Sequence, residues 1–358
     1  MLPYTPLHYL LLEPEKDIPL VWVMTSGNVS DEPIAHTNED AMKMLSNIAD
    51  AFLLHNRGIH TRIDDSVVFH AATTNHFIRR ARGYAPEAVR LPFDVNGIFA
   101  AGALIKNTFC IGRDDYAFMS PHIGDLENEE TFDAYKLAFE QYQNLFSLEV
   151  HSVSADLHPE YRSTQFAKRI AYERNIPILP VQHHHAHLAA CMADNGIRND
   201  TNCIGVCLDG TGLGTDGTIW GGEFLYGGYA QYERILSLQA MPLPGGDAAV
   251  HHPARIALSY LMSCGISWDQ IDLPPLKAFS QQELNIFRWG LEQSINITNT
   301  SSMGRLFDAV SSITGIRQHS SFEGQAAMLL ESAADLSYRG EYPVVIENSK
   351  ILIRPILE

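Results

Sequence analysis

The sequence predicts an α/β protein built around an internally duplicated nucleotide-binding fold. Short apolar runs of strand length alternate with segments of helical period along most of the chain. Two stretches, 98–120 and 203–238, each open with three strand-like runs in succession, and each leads into a helix-bearing region. The echo is one of topology and not of sequence.

Residues 1–92 read as an α/β segment of their own. A strand is expected at 20–24, running straight into Thr25-Ser26-Gly27-Asn28. A helix is expected at 38–48 with Thr37 as N-cap, because a threonine hydroxyl can accept from a free first-turn amide. A second strand is expected at 51–54, and strands at 66–71 and 76–80 flank the turn Thr73-Thr74-Asn75. A domain boundary falls at Arg90-Leu91-Pro92-Phe93-Asp94, where proline disfavours continuing a regular element. The first half, from residue 93, then predicts strands at 98–102, 109–112 and 117–120, a helix at 129–145, a strand at 153–156, a helix at 164–173, a strand at 178–181 and a helix at 183–194. Three strands followed by alternation predict a mixed sheet.

The second half predicts strands at 203–209, 219–225 and 230–238. Helices at 252–263, 281–293, 305–314 and 324–336 follow, then strands at 344–347 and 351–355. A second half of matching size needs more residues than remain before Glu358, so the fold is expected to end truncated.

Hydrophobic residues make up 46% of the chain and charged residues 19%, the profile of a soluble globular protein. The formal charge of −17 argues against nucleic acid as the main partner, because a phosphate backbone needs clustered Lys and Arg. A local basic pocket for a small phosphate stays open. The five cysteines form no Cys-x-x-Cys pair and read as reduced thiols of a cytoplasmic protein, with Cys203 and Cys207 placed in the core. No apolar run of about 18 residues predicts a membrane span, and the first residues lack the profile of a signal peptide.

His183-His184-His185-Ala186-His187 opens a predicted helix. At that spacing His183 and His187 share one face, where neutral imidazoles can hold one divalent metal, zinc or iron. The alternative is a polar helix end with surface histidines. The stretch is not His-Glu-x-x-His, since no glutamate follows the first histidine. Leu208-Asp209-Gly210-Thr211-Gly212-Leu213-Gly214 places a carboxylate where an apolar strand opens. Asp209 there can complete a metal site, and the glycines can form a tight hairpin under phosphate oxygens or a hairpin with no ligand. Lys106-Asn107, the matching turn of the first half, can reach a phosphate or stay solvated. Gly304 and Asp308 open another helix, whose free amides suit an anion and whose aspartate suits a ribose, although an amphipathic core helix fits equally well. Ser26, Asn28 and Ser66, with Arg62, Arg79 and Arg80, supply hydroxyl, amide and guanidinium groups suited to a triphosphate or to ordinary surface turns.

Several of these stretches, with others, resemble the HypF family of hydrogenase-maturation carbamoyltransferases. They include Met1-Leu2-Pro3-Tyr4-Thr5-Pro6-Leu7, Met24-Thr25-Ser26-Gly27-Asn28, Asp64-Asp65-Ser66-Val67, Lys106-Asn107-Thr108-Phe109-Cys110 and His122-Ile123-Gly124-Asp125-Leu126. Asp156-Leu157-His158-Pro159-Glu160-Tyr161, the histidine cluster, Leu243-Pro244-Gly245-Gly246-Asp247, Gly304-Arg305-Leu306-Phe307-Asp308 and Glu323-Gly324-Gln325-Ala326-Ala327 continue the match in order.

The resemblance implies the later part of a YrdC-like domain over 1–92. It implies a TsaD-like domain of the duplicated actin-like (ASKHA) fold over 93–358, without its last segment. It implies that carbamoyl phosphate yields carbamate, that ATP converts this to carbamoyl adenylate, and that the carbamoyl group passes to the C-terminal cysteine of a HypE-type acceptor protein on the way to a cyanide ligand of [NiFe]-hydrogenase. By motif position it implies His183, His187 and Asp209 as metal ligands, with a further aspartate ligand expected beyond Glu358. It gives Lys106, Asn107, Gly210, Thr211, Gly304 and Asp308 to an adenylate site, and Ser26, Asn28 and Ser66 to an ATP site. None of the five cysteines is expected to act as nucleophile. Transfer to a small hydroxyl acceptor and a non-catalytic metal- or nucleotide-binding role are the alternatives.

Overall fold

The computed structural model describes residues 5–13, 21–29, 32–71, 73–268 and 272–358. The first four residues of the opening motif, and Leu20, lie outside them. The chain forms two units. One gathers Met1–Ala88, Leu104–Ile111 and Phe118–Glu149, and the other Val89–Ala103, Gly112–Ala117 and Val150–Glu358. Segments from beyond the proline at position 92 therefore cluster with the N-terminal region.

In the first unit, the helix Asn38–Leu45 starts where expected, with the Thr37 hydroxyl accepting from the Asp40 amide. A hairpin pairs Val67–Ala71 with Thr74–Arg79. The strands expected at 20–24 and 51–54 do not form over 21–24 and 51–54. Apolar character alone misled there: a strand exists only by pairing with another, and Val21, Val23 and Leu53 are 82%, 93% and 70% exposed. Helix α1 (Glu129–Phe146) is capped by the Asn128 side chain. Its buried Tyr135, Phe139 and Tyr142 surround Phe109 edge-on, with ring centroids 5.2–6.1 Å apart. Such contacts add about 0.5–1.5 kcal/mol each beyond area burial.

The first half supplies β1 (Ile98–Ala100), β2 (Cys110–Arg113), β3 (Tyr116–Met119), β4 (Ser152–Asp156) and β5 (Ile178–Val181). With Ala88–Arg90 at one edge, the spatial order is Ala88–Arg90, β3, β2, β1, β4, β5. β4 lies parallel to both β1 and β5. Helix α2 (Arg162–Arg174) links β4 to β5, and α3 (His183–Asp194) follows β5. In the second half β6 (Cys203–Leu213), β7 (Ile219–Gly227) and β8 (Tyr232–Leu238) form the antiparallel meander that the sequence predicts. Helices α4 (Pro253–Ser263), Gln281–Glu292, α5 (Met303–Ile313) and Gln325–Ala333 come next. Leu238, Met241 and Leu243 pack with Ile256, Ala257 and Tyr260 of α4 and Leu306 and Ala309 of α5 into one core.

Two expectations are corrected in this half. β6 continues through Asp209 to Leu213, so Gly210 and Gly212 are strand residues and no tight hairpin forms at them. The strand expected at 351–355 is limited to Lys350–Ile351 and gives way to a short helix, Arg354–Leu357. Pro355 sits in its first turn, where the missing N–H has no intrahelical partner to lose.

Candidate metal centre and cavity

Within the second unit, the N-termini of α3 and α5 and the end of β4 meet around Asp209 of β6. Gln182 caps α3, its Oε1 accepting from the His185 amide at 2.9 Å. One helical turn separates His183 from His187. Both turn their Nε2 atoms toward Asp209 of β6, at 3.3 and 3.4 Å from its Oδ2. Among the described residues, His183, His187 and Asp209 form a group whose ligand atoms lie within 4.8 Å of one another.

These residues fit a divalent metal. Asp209 Oδ2 is buried and has no well-directed hydrogen bond. Metal–ligand bonds of ~2.1 Å in a tetrahedral site put ligand atoms roughly 3.4 Å apart, the separation seen between Asp209 and each imidazole. Asp156, at the end of β4, completes the support: its Oδ2 lies 2.7 Å from His183 Nδ1. A carboxylate only accepts, so Nδ1 carries a proton toward Asp156, and Nε2 is the nitrogen that would face a metal once its own proton is displaced. Burial opposes ionisation of Asp209, but the His183 and His187 imidazoles override it and hold the carboxyl well below its usual range. Burial likewise disfavours charge on His183, and the Asp156 and Asp209 carboxylates overcome this and push its pKa up to about 9.

His184 is the surprise of the cluster. It is fully buried, and its Nε2 lies 3.5 Å from Asp209 Oδ2. Burial pushes it down to about 4, which keeps it neutral. His185 turns away, with Nε2 2.8 Å from the Gly228 carbonyl.

Gly212 shows why β6 carries glycine here: a Cβ would lie 2.5 Å from His184 Cε1 and 2.9 Å from His183 Cδ2. Gly210 and Gly304 also meet closely, a Cβ on Gly304 falling 3.0 Å from Gly210 Cα. The α5 N-cap Ser302 locks this contact. Its hydroxyl lies 3.0 Å from the Asp209 carbonyl and 2.8 Å from that of Gly210, while accepting from the Arg305 amide. Thr211 is exposed beside it. Asp308 instead points into the core, paired with Arg305 at 2.9 Å. Burial raises its carboxyl above the usual range, with Arg305 opposing.

The first unit holds a cavity of about 530 Å³ lined by Ser26, Asn28, Arg62, Asp64, Lys106 and His122, among others. That volume lies in the range of small-ligand sites, roughly 300–1,000 Å³. The Asn28 side chain is occupied in shaping its loop: Oδ1 accepts from Ser26 Oγ at 2.6 Å, and Nδ2 donates to the Val29 and Glu32 carbonyls. Arg62 reaches His36 Nδ1 at 2.9 Å. Asp64 accepts from Arg79 and lies 3.0 Å from His122 Nδ1. Lys106, in a left-handed conformation with φ 50°, donates its backbone N–H to Asp125. Asn107 is buried and bridges Gly124 through the backbone. Ser66 is not among the lining residues; its hydroxyl bonds the Arg82 carbonyl and the Ala81 amide.

The family matches give this duplicated α/β fold as that of a Kae1-like protein carrying a YrdC-like segment. Residues 94–194 match the HypF Kae1-like domain, and residues 205–358 match the second subdomain of the carbamoyltransferase Kae1-like domain. Residues 1–81 match the Sua5/YciO/YrdC family described as telomere recombination. The chain belongs to the HypF family. It is 42% identical over 349 residues to carbamoyltransferase HypF2 of Cupriavidus necator, covering 94% of this chain and 42% of that protein. It is 39% identical to carbamoyltransferase HypF of Synechocystis, covering 98% of this chain and 46% of that one. A crystal structure of full-length HypF in a phosphate- and nucleotide-bound form superposes with a TM-score of 0.88 at 44% identity, covering all of this chain and 46% of that one. The structure of HypF from T. kodakarensis gives 0.90 at 34% identity, covering 48% of its chain. The chain thus spans less than half the length of these relatives.

Proposed function

We propose that this chain is the part of a carbamoyltransferase that takes a carbamoyl group from carbamoyl adenylate to a protein thiol. The adenylate forms from ATP and the carbamate of carbamoyl phosphate, and the acceptor is the C-terminal cysteine of a HypE-type partner in [NiFe]-hydrogenase maturation. The observation that carries this reading is the Asp209 carboxylate facing His183 and His187 at metal-ligand spacing in a Kae1-like fold.

A divalent metal, zinc or iron, held by His183, His187 and Asp209 supplies positive charge for phosphate oxygens. The chain's own residues do the rest. Asp156 fixes the His183 ring. Ser302 ties the N-terminus of α5 to Asp209 and Gly210, so the free amides of that helix stand beside the centre, where they favour an anion. Gly210 and Gly304, without side chains, leave backbone accessible there. In the transfer, the thiolate sulfur bonds to the carbamoyl carbon and the bond from that carbon to the phosphate oxygen breaks. AMP leaves with the electron pair, and the thiol proton passes to solvent. In the first unit, Arg62, Lys106 and the Asp64–His122 pair give the cavity the mixed charge that a nucleotide anhydride needs. No helix among the described residues is long and apolar enough to cross a membrane.

The test supplies the chain with carbamoyl adenylate and an acceptor peptide ending in cysteine, and reads thiocarbamate by mass spectrometry. Transfer is expected with wild type and is lost in His183→Ala/His187→Ala together with bound metal. Equal metal in both proteins, or transfer only to small alcohols, overturns the reading.

A further inference from the structure

We infer that His184 is a hydrogen-bond donor that holds the Asp209 carboxylate in place, and that Gln182 assigns it this role by fixing its tautomer. This rests on the reading that the centre binds a metal, and its test separates the two.

Three imidazoles crowd one carboxylate oxygen, with Nε2 atoms 3.3, 3.5 and 3.4 Å from Asp209 Oδ2 for His183, His184 and His187. Distance alone makes all three equivalent. Their far nitrogens separate His183 from His184. Gln182 is oriented by two contacts with backbone. Its Oε1 accepts from the His185 amide at 2.9 Å, and its Nε2 donates to the Leu213 carbonyl at 3.2 Å. The same Nε2 lies 3.2 Å from His184 Nδ1. An amide nitrogen only donates, so Nδ1 of His184 accepts, and the ring proton of the neutral imidazole sits on Nε2. That N–H is buried, has no well-aligned partner, and faces Asp209 Oδ2. His183 is held the other way round, because Asp156 takes its Nδ1–H and leaves Nε2 as the nitrogen facing the centre.

The ring of His184 has little freedom to change this. Gly212 lies against it, where even a methyl group would clash. Trp220 packs beside it at a centroid distance of 6.2 Å. The His184 carbonyl also accepts from Cys207 Sγ. The polar and charged groups that act on the ring include Gln182, Asp209, Glu223 and the two other imidazoles. With a metal at the centre, a small turn of the Asp209 carboxylate would bring this 3.5 Å approach to full hydrogen-bond distance. Asp209 then has Oδ1 anchored by the Gly210 amide at 2.6 Å and Oδ2 steered by His184. His184 is thus a positioning residue and not a ligand.

The test has two readouts. Selective ¹⁵N-histidine labelling reads the tautomer in the metal-free chain: His184 is expected with the proton on Nε2, and a proton on Nδ1 overturns the inference. Co(II) titration then reads the role. His184→Ala is expected to keep one metal per chain with affinity lowered roughly 10–100-fold, whereas His183→Ala loses the stoichiometric site. Gln182→Glu presents an acceptor to Nδ1, inverts the tautomer and frees the Nε2 lone pair, so the Co(II) absorption spectrum shifts as a third imidazole enters. Loss of metal in His184→Ala equal to that in His183→Ala makes it a ligand, and unchanged affinity leaves it no role; either result overturns the inference. If His184→Ala does not fold, an unchanged Gln182→Glu spectrum overturns it alone. Wild type that takes up no Co(II) overturns the metal reading instead, while the tautomer is still read directly.

Discussion

Asp156 shows what single residues contribute beyond the ligands. It is not one of the candidate metal ligands, yet it holds Nδ1 of His183 and so leaves Nε2 to face Asp209. Asp156→Ala is expected to weaken metal binding roughly 10–100-fold while keeping one site per chain, as competition with a chromophoric chelator would read. A chain that loses the site outright would make Asp156 a ligand. The candidate ligands were legible in the sequence because a four-residue spacing on a helix and a carboxylate closing an apolar run are local patterns, although β6 in fact continues past Asp209. Asp156 is 27 residues from His183, and only the parallel pairing of β4 with β5 brings it there. Its signal was an acidic residue closing a short strand. The tautomers and the need for glycine at 212 depend on side-chain approach, which spacing does not encode. Of the two cysteines expected in the core, Cys207 is buried and Cys203 half-buried; burial pushes the Cys110 thiol up to about 12 and Cys207 to about 11, so neither of these supplies a thiolate at neutral pH. Single Cys→Ser variants that remain folded are expected to retain carbamoyl transfer; its loss in any one of them would assign that cysteine to the chemistry.

At the scale of elements, α5 and β6 act as one piece. Ser302 caps α5 and also bonds the two carbonyls that follow the turn of Asp209 toward the histidines. Loss of a serine cap usually costs about 0.5–2 kcal/mol. Ser302→Ala is therefore expected to lower stability by that amount in denaturant titration, and also to weaken metal binding, because the backbone that carries Asp209 loosens. Normal metal affinity in a destabilised Ser302→Ala would reduce the residue to an ordinary cap. Helix positions were read well from sequence: the Thr37 cap and the span of α3 coincide with expectation, while the Gln182 cap of α3 was not foreseen. Strands were read less well where pairing decides. Residues 21–24 and 51–54 are apolar enough but find no ladder. β6 runs on past Asp209 because β7 offers a partner as far as Leu213, glycines notwithstanding.

Across the molecule, the duplicated topology carries an asymmetry. In the first sheet, β1 has β2 on one side and β4 in parallel on the other. In the second, β6 pairs only with β7 among the described residues. One face of β6 lies on α3, with Gly205 against Leu188 and Cys207 buried. The other face presents Ile204, Val206 and Leu208, exposed by 63%, 55% and 54%, and the register sets Tyr226 and Phe224 beside them. An open strand with a contiguous apolar face is a template for unwanted pairing between chains. The −17 formal charge opposes that association only at long range and weakens with salt. The 358-residue chain is therefore expected to self-associate increasingly as ionic strength rises. Val206→Lys should suppress this by placing a charge at the centre of the face, with a change in stability within about 0.5 kcal/mol because the site is solvated. Metal content should not change, since residue 206 points away from α3. Light scattering across a salt series decides the point. Association that ignores both salt and Val206→Lys would place the self-contact elsewhere on the molecule.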